Sequence, residues 1–440
     1  MVESFANSVE DKLIDSLQFK LKEGASYITD RRSVTFYPQG SNLYRSQNGT
    51  KTIKINLTGD HWLDPSTLRV MFEVRNNSAN AALQVRPISG PWGFFRRARL
   101  VSSSVIEDID HYGRCHEMLH ILKSKEIRKN DFSEAFGEEL TFLDDIMGLD
   151  TPQRFSGIPG AQAQNVLFKP IFGLLNQPKY LPLKKMGGLS IELELNDNYL
   201  DAIINPDVEL VADRYNTANT STDYQIENVV VKVDLITLDN ALQNTYDSHL
   251  LSGNAYPINY NTYINSVQSV IGAGANGQDK INLSISRAIT RLKSVFITLD
   301  RETTYDIYGG LDGYKAMKPW NQFYSPMNTY ALNASGNAVY NQLGEFEVGI
   351  QIGSKKFPEN FIGLQATTLK NLDIKSSEYR MNKLIIGIDT EKQLTAGWTG
   401  MNTKAGDLLN IKFNHLLCPP ERRATQMYVT LHADCFRNTR

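Results

Sequence analysis

Apolar residues recur at every second position through much of this chain, and where that period holds it predicts strands with one buried face. Leu68, Val70, Phe72 and Val74 share one face, while Arg69, Glu73 and Arg75 take the other. Further along, Leu189, Ile191, Leu193 and Leu195 alternate with Ser190, Glu192, Glu194 and Asn196, the pattern of a half-buried strand. Residues 32–36 and 50–57 read as earlier strands, and 229–238 closes the first half. The second half repeats the grammar at 263–271, 280–286, 292–299, 345–352, 383–388, 407–414 and 426–433. There Leu409, Ile411 and Phe413 alternate with Asn410, Lys412 and Asn414, as in the Leu189 strand.

Two stretches keep a helical period instead. Phe5, Val9, Leu13, Leu17 and Leu21 stand four apart with Glu10, Asp11, Asp15 and Lys20 on other faces, which predicts an amphipathic helix. Its apolar face is satisfied either by its own module or by a neighbouring subunit or underlying layer. Residues 112–129 read as the one substantial helix of the first half. The chain also echoes itself: Lys54-Ile55-Asn56-Leu57 before the Leu68 strand recurs as Lys280-Ile281-Asn282-Leu283 before the strand at 292–299. A polar run at 239–245 separates the copies. The expected organisation is an arm at 1–29, one β module at 30–245 and a second at 246–440 with a long loop at 301–343. Many short strands, long connections and few helices give an all-β chain of two tandem sandwiches with Greek-key or jelly-roll connectivity.

Composition narrows the function. The 440 residues suit two domains, and a formal net charge of −2 supplies no field for nucleic acid or an anionic membrane. Cys115, Cys418 and Cys435 form no close pair or CxxC, which fits thiols in a reducing compartment. No signal peptide or membrane-span pattern is seen, so synthesis in the cytosol is expected.

One motif raises chemistry. His116-Glu117-Met118-Leu119-His120 fits H-E-x-x-H, in which two His a helical turn apart ligate zinc and the Glu activates water. Position 123 is Lys and position 126 is Glu where a metzincin needs Gly and His, and Glu139 precedes Asp144 by five positions rather than four. The simpler account is a helix packing Met118, Leu119, Ile121 and Leu122 on the sandwich with the His residues toward its flank. Glu107, Asp108 and Asp110 read as exposed carboxylates facing a helix N-terminus, Arg96, Arg97 and Arg99 as a basic stripe at a rim or between subunits, and Gly272, Gly274 and Gly277 as no phosphate loop. The Tyr-rich segment 301–343, with Trp320, Phe323 and Tyr324, reads as a structured, contact-making surface.

Several runs carry a likeness. Asp30-Arg31-Arg32-Ser33-Val34-Thr35-Phe36-Tyr37-Pro38, followed by Gly59-Asp60-His61-Trp62-Leu63-Asp64-Pro65, resembles the first jelly roll of the major capsid proteins of Polinton-like viruses and their adintovirus and virophage relatives. Val348-Gly349-Ile350-Gln351-Ile352-Gly353-Ser354-Lys355-Lys356-Phe357-Pro358 is similar to that family's QIGxKxFP segment. The runs Ile386-Gly387-Ile388-Asp389-Thr390-Glu391-Lys392 and Thr399-Gly400-Met401-Asn402-Thr403-Lys404-Ala405-Gly406-Asp407 resemble its closing segment. The chain is shorter than many relatives, which argues for trimmed surface loops.

The resemblance implies a double jelly roll of two eight-stranded sandwiches, forming homotrimers that tile an icosahedral shell around a DNA genome. It implies a virion location, no cofactor, no catalysis and no sequence-specific nucleic-acid binding. Neighbouring capsomers, penton and minor capsid proteins are the implied partners, with a membrane or genome layer beneath. Phe5, Val9, Leu13 and Leu17 on the arm and Trp320, Phe323 and Tyr324 in the long loop are the expected interface residues. The rivals are a zinc hydrolase using His116, Glu117 and His120, and a carbohydrate-binding jelly-roll lectin.

Overall fold

A computed structural model describes residues 28–47, 49–87, 89–136, 157–203, 221–270, 278–300, 323, 330–332, 338–340, 347–363, 383–391, 400–403, 408–417 and 426–439. The first half contributes β1 (Ile28–Phe36), β2 (Leu43–Tyr44), β3 (Thr52–Leu57), β4 (Trp62–Asn76), β5 (Phe95–Val101), β6 (Val105–Asp110), β7 (Ala163–Phe168), β8 (Leu181–Pro182), β9 (Leu189–Leu195) and β10 (Tyr224–Leu238). The second contributes β11 (Tyr256–Ser269), β12 (Gln278–Ile285), β13 (Leu292–Asp300), β14 (Tyr330–Leu332), β15 (Ala338–Tyr340), β16 (Glu347–Ile352), β17 (Lys355–Gly363), β18 (Ile386–Asp389), β19 (Leu409–Leu417) and β20 (Gln426–Thr439). Helices α1 (Tyr112–Ile121), α2 (Lys125–Ser133) and α3 (Asn240–Leu251) join them.

The strands form two pairs of four-stranded cores. In the first half the orders are β1-β10-β4-β7 and β3-β9-β5-β6, with β2 and β8 added to the first of these sheets. In the second half they are β11-β20-β13-β18 and β12-β19-β16-β17. The two halves therefore repeat one order strand for strand, each the antiparallel two-sheet arrangement of a jelly roll. This is the physical content of the internal echo. Lys54-Ile55-Asn56-Leu57 lies in β3 and Lys280-Ile281-Asn282-Leu283 in β12, at equivalent sheet edges. Ile55 pairs with Ile191 on β9, and Leu283 pairs with Ile411 on β19.

Each sandwich closes by the alternation that its strands carry. Leu68, Val70, Phe72 and Val74 are fully buried, as are Leu189, Ile191, Leu193 and Leu195. Full burial stabilises by roughly 1.5–3 kcal/mol for each such side chain. Phe72 centres the first core, edge-on to Phe94, Phe95 and Phe168 with ring centroids 5.5–6.2 Å apart.

The structure departs from the sequence reading in three places. The helix expected over 112–129 is two helices, parted at Leu122-Lys123-Ser124 where the chain tightens through Lys123 N–H to the His120 carbonyl. The polar run at 239–245 opens α3, which the Asp239 carboxylate caps by accepting from the Ala241 N–H. The basic stripe is strand β5, and the acidic cluster lies in strand β6 beside it. The arm, with Phe5, Val9, Leu13 and Leu17, and most of 301–343, with Trp320 and Tyr324, lie outside the described residues.

Candidate functional site: the junction between the modules

Helix α1 divides its residues between the two modules. Tyr112 and Cys115 pack into the first core, whereas Met118 and Ile121 pack into the second. Arg114, on the second-module side, enters it completely. Its guanidinium donates to the Leu299 carbonyl at 2.9 Å and to Thr298 Oγ1 at 3.3 Å, lies 3.7 Å from Asp300, and stacks over the rings of Tyr428 and Phe323 at 4.3 and 4.8 Å. A buried charge needs this kind of saturation with acceptors and aromatic faces. Phe323, expected at an interface between subunits, is therefore fully buried within the chain under Arg114.

The second tie is Glu107. Three donors converge on its carboxylate: the N–H groups of Gly173 and Leu174 at 2.9 and 2.8 Å, and the Thr262 hydroxyl from β11 at 2.9 Å. Gly173 is required because a Cβ there would come within 1.4 Å of the Asn261 carbonyl oxygen. Burial pushes the Glu107 carboxyl up to about 7, against the lowering effect of its hydrogen bonds. The exposed-carboxylate reading of this cluster is thus corrected at Glu107, which faces inward from β6. Asn265 of β11 adds a second strap, donating to the Asp110 carbonyl while accepting from Thr430 Oγ1 at 2.7 Å.

The Arg residues of β5 serve the sheet itself. Arg97 bonds Asp108 through two nitrogens, Arg99 lies 2.9 Å from Glu192, and Arg96 reaches Asp197 at 2.6 Å. Together with Lys54 and Glu192 at 3.3 Å, they form a cross-strand ladder of opposite charges, so the stripe does not stand as unpaired basic surface.

The H-E-x-x-H residues are buried, not on the helix flank. His116 stacks on Trp92 with centroids 4.3 Å apart and planes 6° from parallel, and lies 3.3 Å from the Tyr112 hydroxyl. Burial, helped by Lys123 and His120, holds the His116 ring well below its usual range and hence neutral. Glu117, which would have to face a water, instead accepts a 2.6 Å hydrogen bond from the Trp92 indole. His120 Nδ1 lies 3.3 Å from Asp131. Burial alone would raise that carboxyl, but hydrogen bonds from His120 and Lys123 outweigh it and bring it down to about 2. Among the described residues no three His, Cys, Asp or Glu side chains cluster as metal ligands. Sequence reasoning missed Trp92, Arg114 and Thr262; no local signal marks them, because each acts on a distant segment.

No family model and no curated protein matches the chain. Solved structures do. The chain is similar to the PBCV-1 virus capsid, with a TM-score of 0.61 and 11% identity over 94% of this chain and 95% of that one. It is similar to the Faustovirus major capsid protein, with a TM-score of 0.56 and 9% identity over 93% and 90%. The Sputnik virophage structure gives a TM-score of 0.53 and 10% identity over 93% and 87%. At such identities the likeness is one of fold: two jelly rolls in one chain, matched nearly end to end.

Proposed function

We propose that this chain is a viral major capsid protein that works by self-association, forming pseudo-hexagonal homotrimers that tile an icosahedral shell around a DNA genome. The observation that carries the reading is the strand-for-strand repeat of one sandwich within a single chain. Three copies of such a chain present six similar sandwiches, so one polypeptide fills hexagonal positions in a lattice. The full-length match to capsid folds supports this. The junction supports it too: Arg114 and Glu107 lock the sandwiches into one block, as a lattice tile requires. Neighbouring capsomers, penton and minor capsid proteins, and a membrane or genome layer beneath are the partners this role entails, and the virion is its location. The contacts of His116, Glu117 and His120 support a packing role for that helix over hydrolysis.

The test is light-scattering mass beside negative-stain microscopy of the purified chain. A trimer of about 150 kDa, three times the 49.6 kDa chain, that forms hexagonal patches or shells is expected. A stable monomer overturns the reading.

A further inference from the structure

A cleft of about 570 Å³ opens where the modules meet, walled by the turn after α1, the segment following β7, and strands β11, β13 and β20. Its volume lies within the range of specific binding sites. Three lysines line it, and two are already engaged. Lys123 is held by Asp131 at 2.8 Å, and Lys293 by Glu391 at 3.0 Å and Asp434 at 3.6 Å. Lys169 is half-buried and has no carboxylate partner among the described residues. Burial, and then the charges of Arg69 and Lys123, hold its ammonium below the usual range, with Asp64 opposing them. The protein thus keeps a cation in an enclosed place where its nearest charges are mainly of its own sign.

The same cleft carries free amides. Asn259 and Asn261 are exposed on one face of β11, and neither side chain has a hydrogen-bond partner among the described residues. Residues two apart on a strand repeat at about 6.6 Å, which is also the repeat of every second residue in an extended peptide laid alongside. A carboxamide offers both a donor and an acceptor, the pair that a peptide unit needs.

We propose that this cleft docks an extended acidic segment of a partner protein, with one Asp or Glu carboxylate on Lys169 and its main chain on Asn259 and Asn261. A phosphate backbone fits less well, because it brings a run of charges while Lys123 and Lys293 are already held by Asp131, Glu391 and Asp434, leaving one cation for one carboxylate. The inference does not rest on shell formation, which is read separately by microscopy.

The probes are acetyl-Ala-Glu-Ala-amide, acetyl-Ala-Gln-Ala-amide and inorganic phosphate, titrated into the full chain and followed by ligand-observed NMR. The Glu peptide should bind about tenfold more tightly than the Gln peptide, the usual effect of a charge-assisted hydrogen bond. Lys169→Met should erase that preference, Lys169→Arg should keep it, and Lys184→Met, an exposed lysine near Asp60, should leave it unchanged. Asn261→Asp, at an exposed position whose change leaves the core alone, should weaken the Glu peptide several-fold. Equal affinity for the two peptides, no binding of either at millimolar concentration, tighter binding of phosphate, or a preference that survives both Lys169→Met and Asn261→Asp each overturns the proposal.

Discussion

The Thr262 hydroxyl of the second module donates a 2.9 Å hydrogen bond to Glu107 Oε2 of the first, closing on a carboxylate that β6 buries. The relationship gives the junction a pH dependence of known sign. The Glu107 carboxyl titrates near 7 in the folded chain and near 4.5 when unfolded, so the folded form holds a proton that the unfolded form releases. Its stabilising contribution is full below about 4.5 and is lost as pH rises through about 7. A shift of that size corresponds to roughly 3 kcal/mol. Denaturant midpoints of the native chain and Glu107→Gln, compared from pH 4.5 to 8, should diverge with pH, the native chain losing more stability toward pH 8. Parallel profiles would remove Glu107 from the account.

Arg114 should be among the costliest single positions to truncate. Arg114→Ala removes the buried cation beside Asp300 and the donor to the Leu299 carbonyl, and breaking a buried charged contact of this kind costs about 3–5 kcal/mol. Arg114→Lys should recover little, since an ammonium reproduces neither the forked donors nor the stacking on Tyr428. Thermal melting and proteolysis between the modules measure both.

Glu117 separates packing from chemistry. Glu117→Gln keeps an acceptor for the Trp92 indole and should cost under about 1 kcal/mol, whereas Glu117→Leu should cost about 1–3 kcal/mol and change Trp92 fluorescence. Elemental analysis of the native chain should find far less than one zinc per chain. Stoichiometric zinc, or a hydrolytic activity lost in Glu117→Gln, would restore the hydrolase reading.

Deleting residues 1–24 should leave trimers intact and impair shells, if the arm of Phe5, Val9, Leu13 and Leu17 docks beneath a neighbour. Normal shells from the truncated chain would assign that apolar face to its own module.

Strands with clean alternation, such as β9 and β19, were legible from the chain alone, because one face meets the core and the other meets water. β5 was not, because a bulge between Phe95 and Arg97 breaks the period and turns consecutive arginines outward. β6 hid behind Glu107, a carboxylate at an inward position, and β17 behind Pro358, which an edge strand tolerates. α3 buries none of its residues, so no apolar stripe announces it and only the Asp239 cap does. The motif at His116 is the converse case: five local residues spell a zinc site, and a tryptophan 25 positions away from Glu117 decides otherwise.

The placement of α1 also sets a timetable. Arg114 waits for acceptors 184 and 185 residues downstream, and Met118 and Ile121 wait for a core assembled from residues between Val270 and Ala433. During synthesis the leading sandwich leaves the ribosome with an unmet cation and bare apolar side chains on one flank, the surface that invites wrong association or chaperone capture. Such long-range closure makes the final docking step slow, and it ties the solubility of the early half to the prompt arrival of the later one.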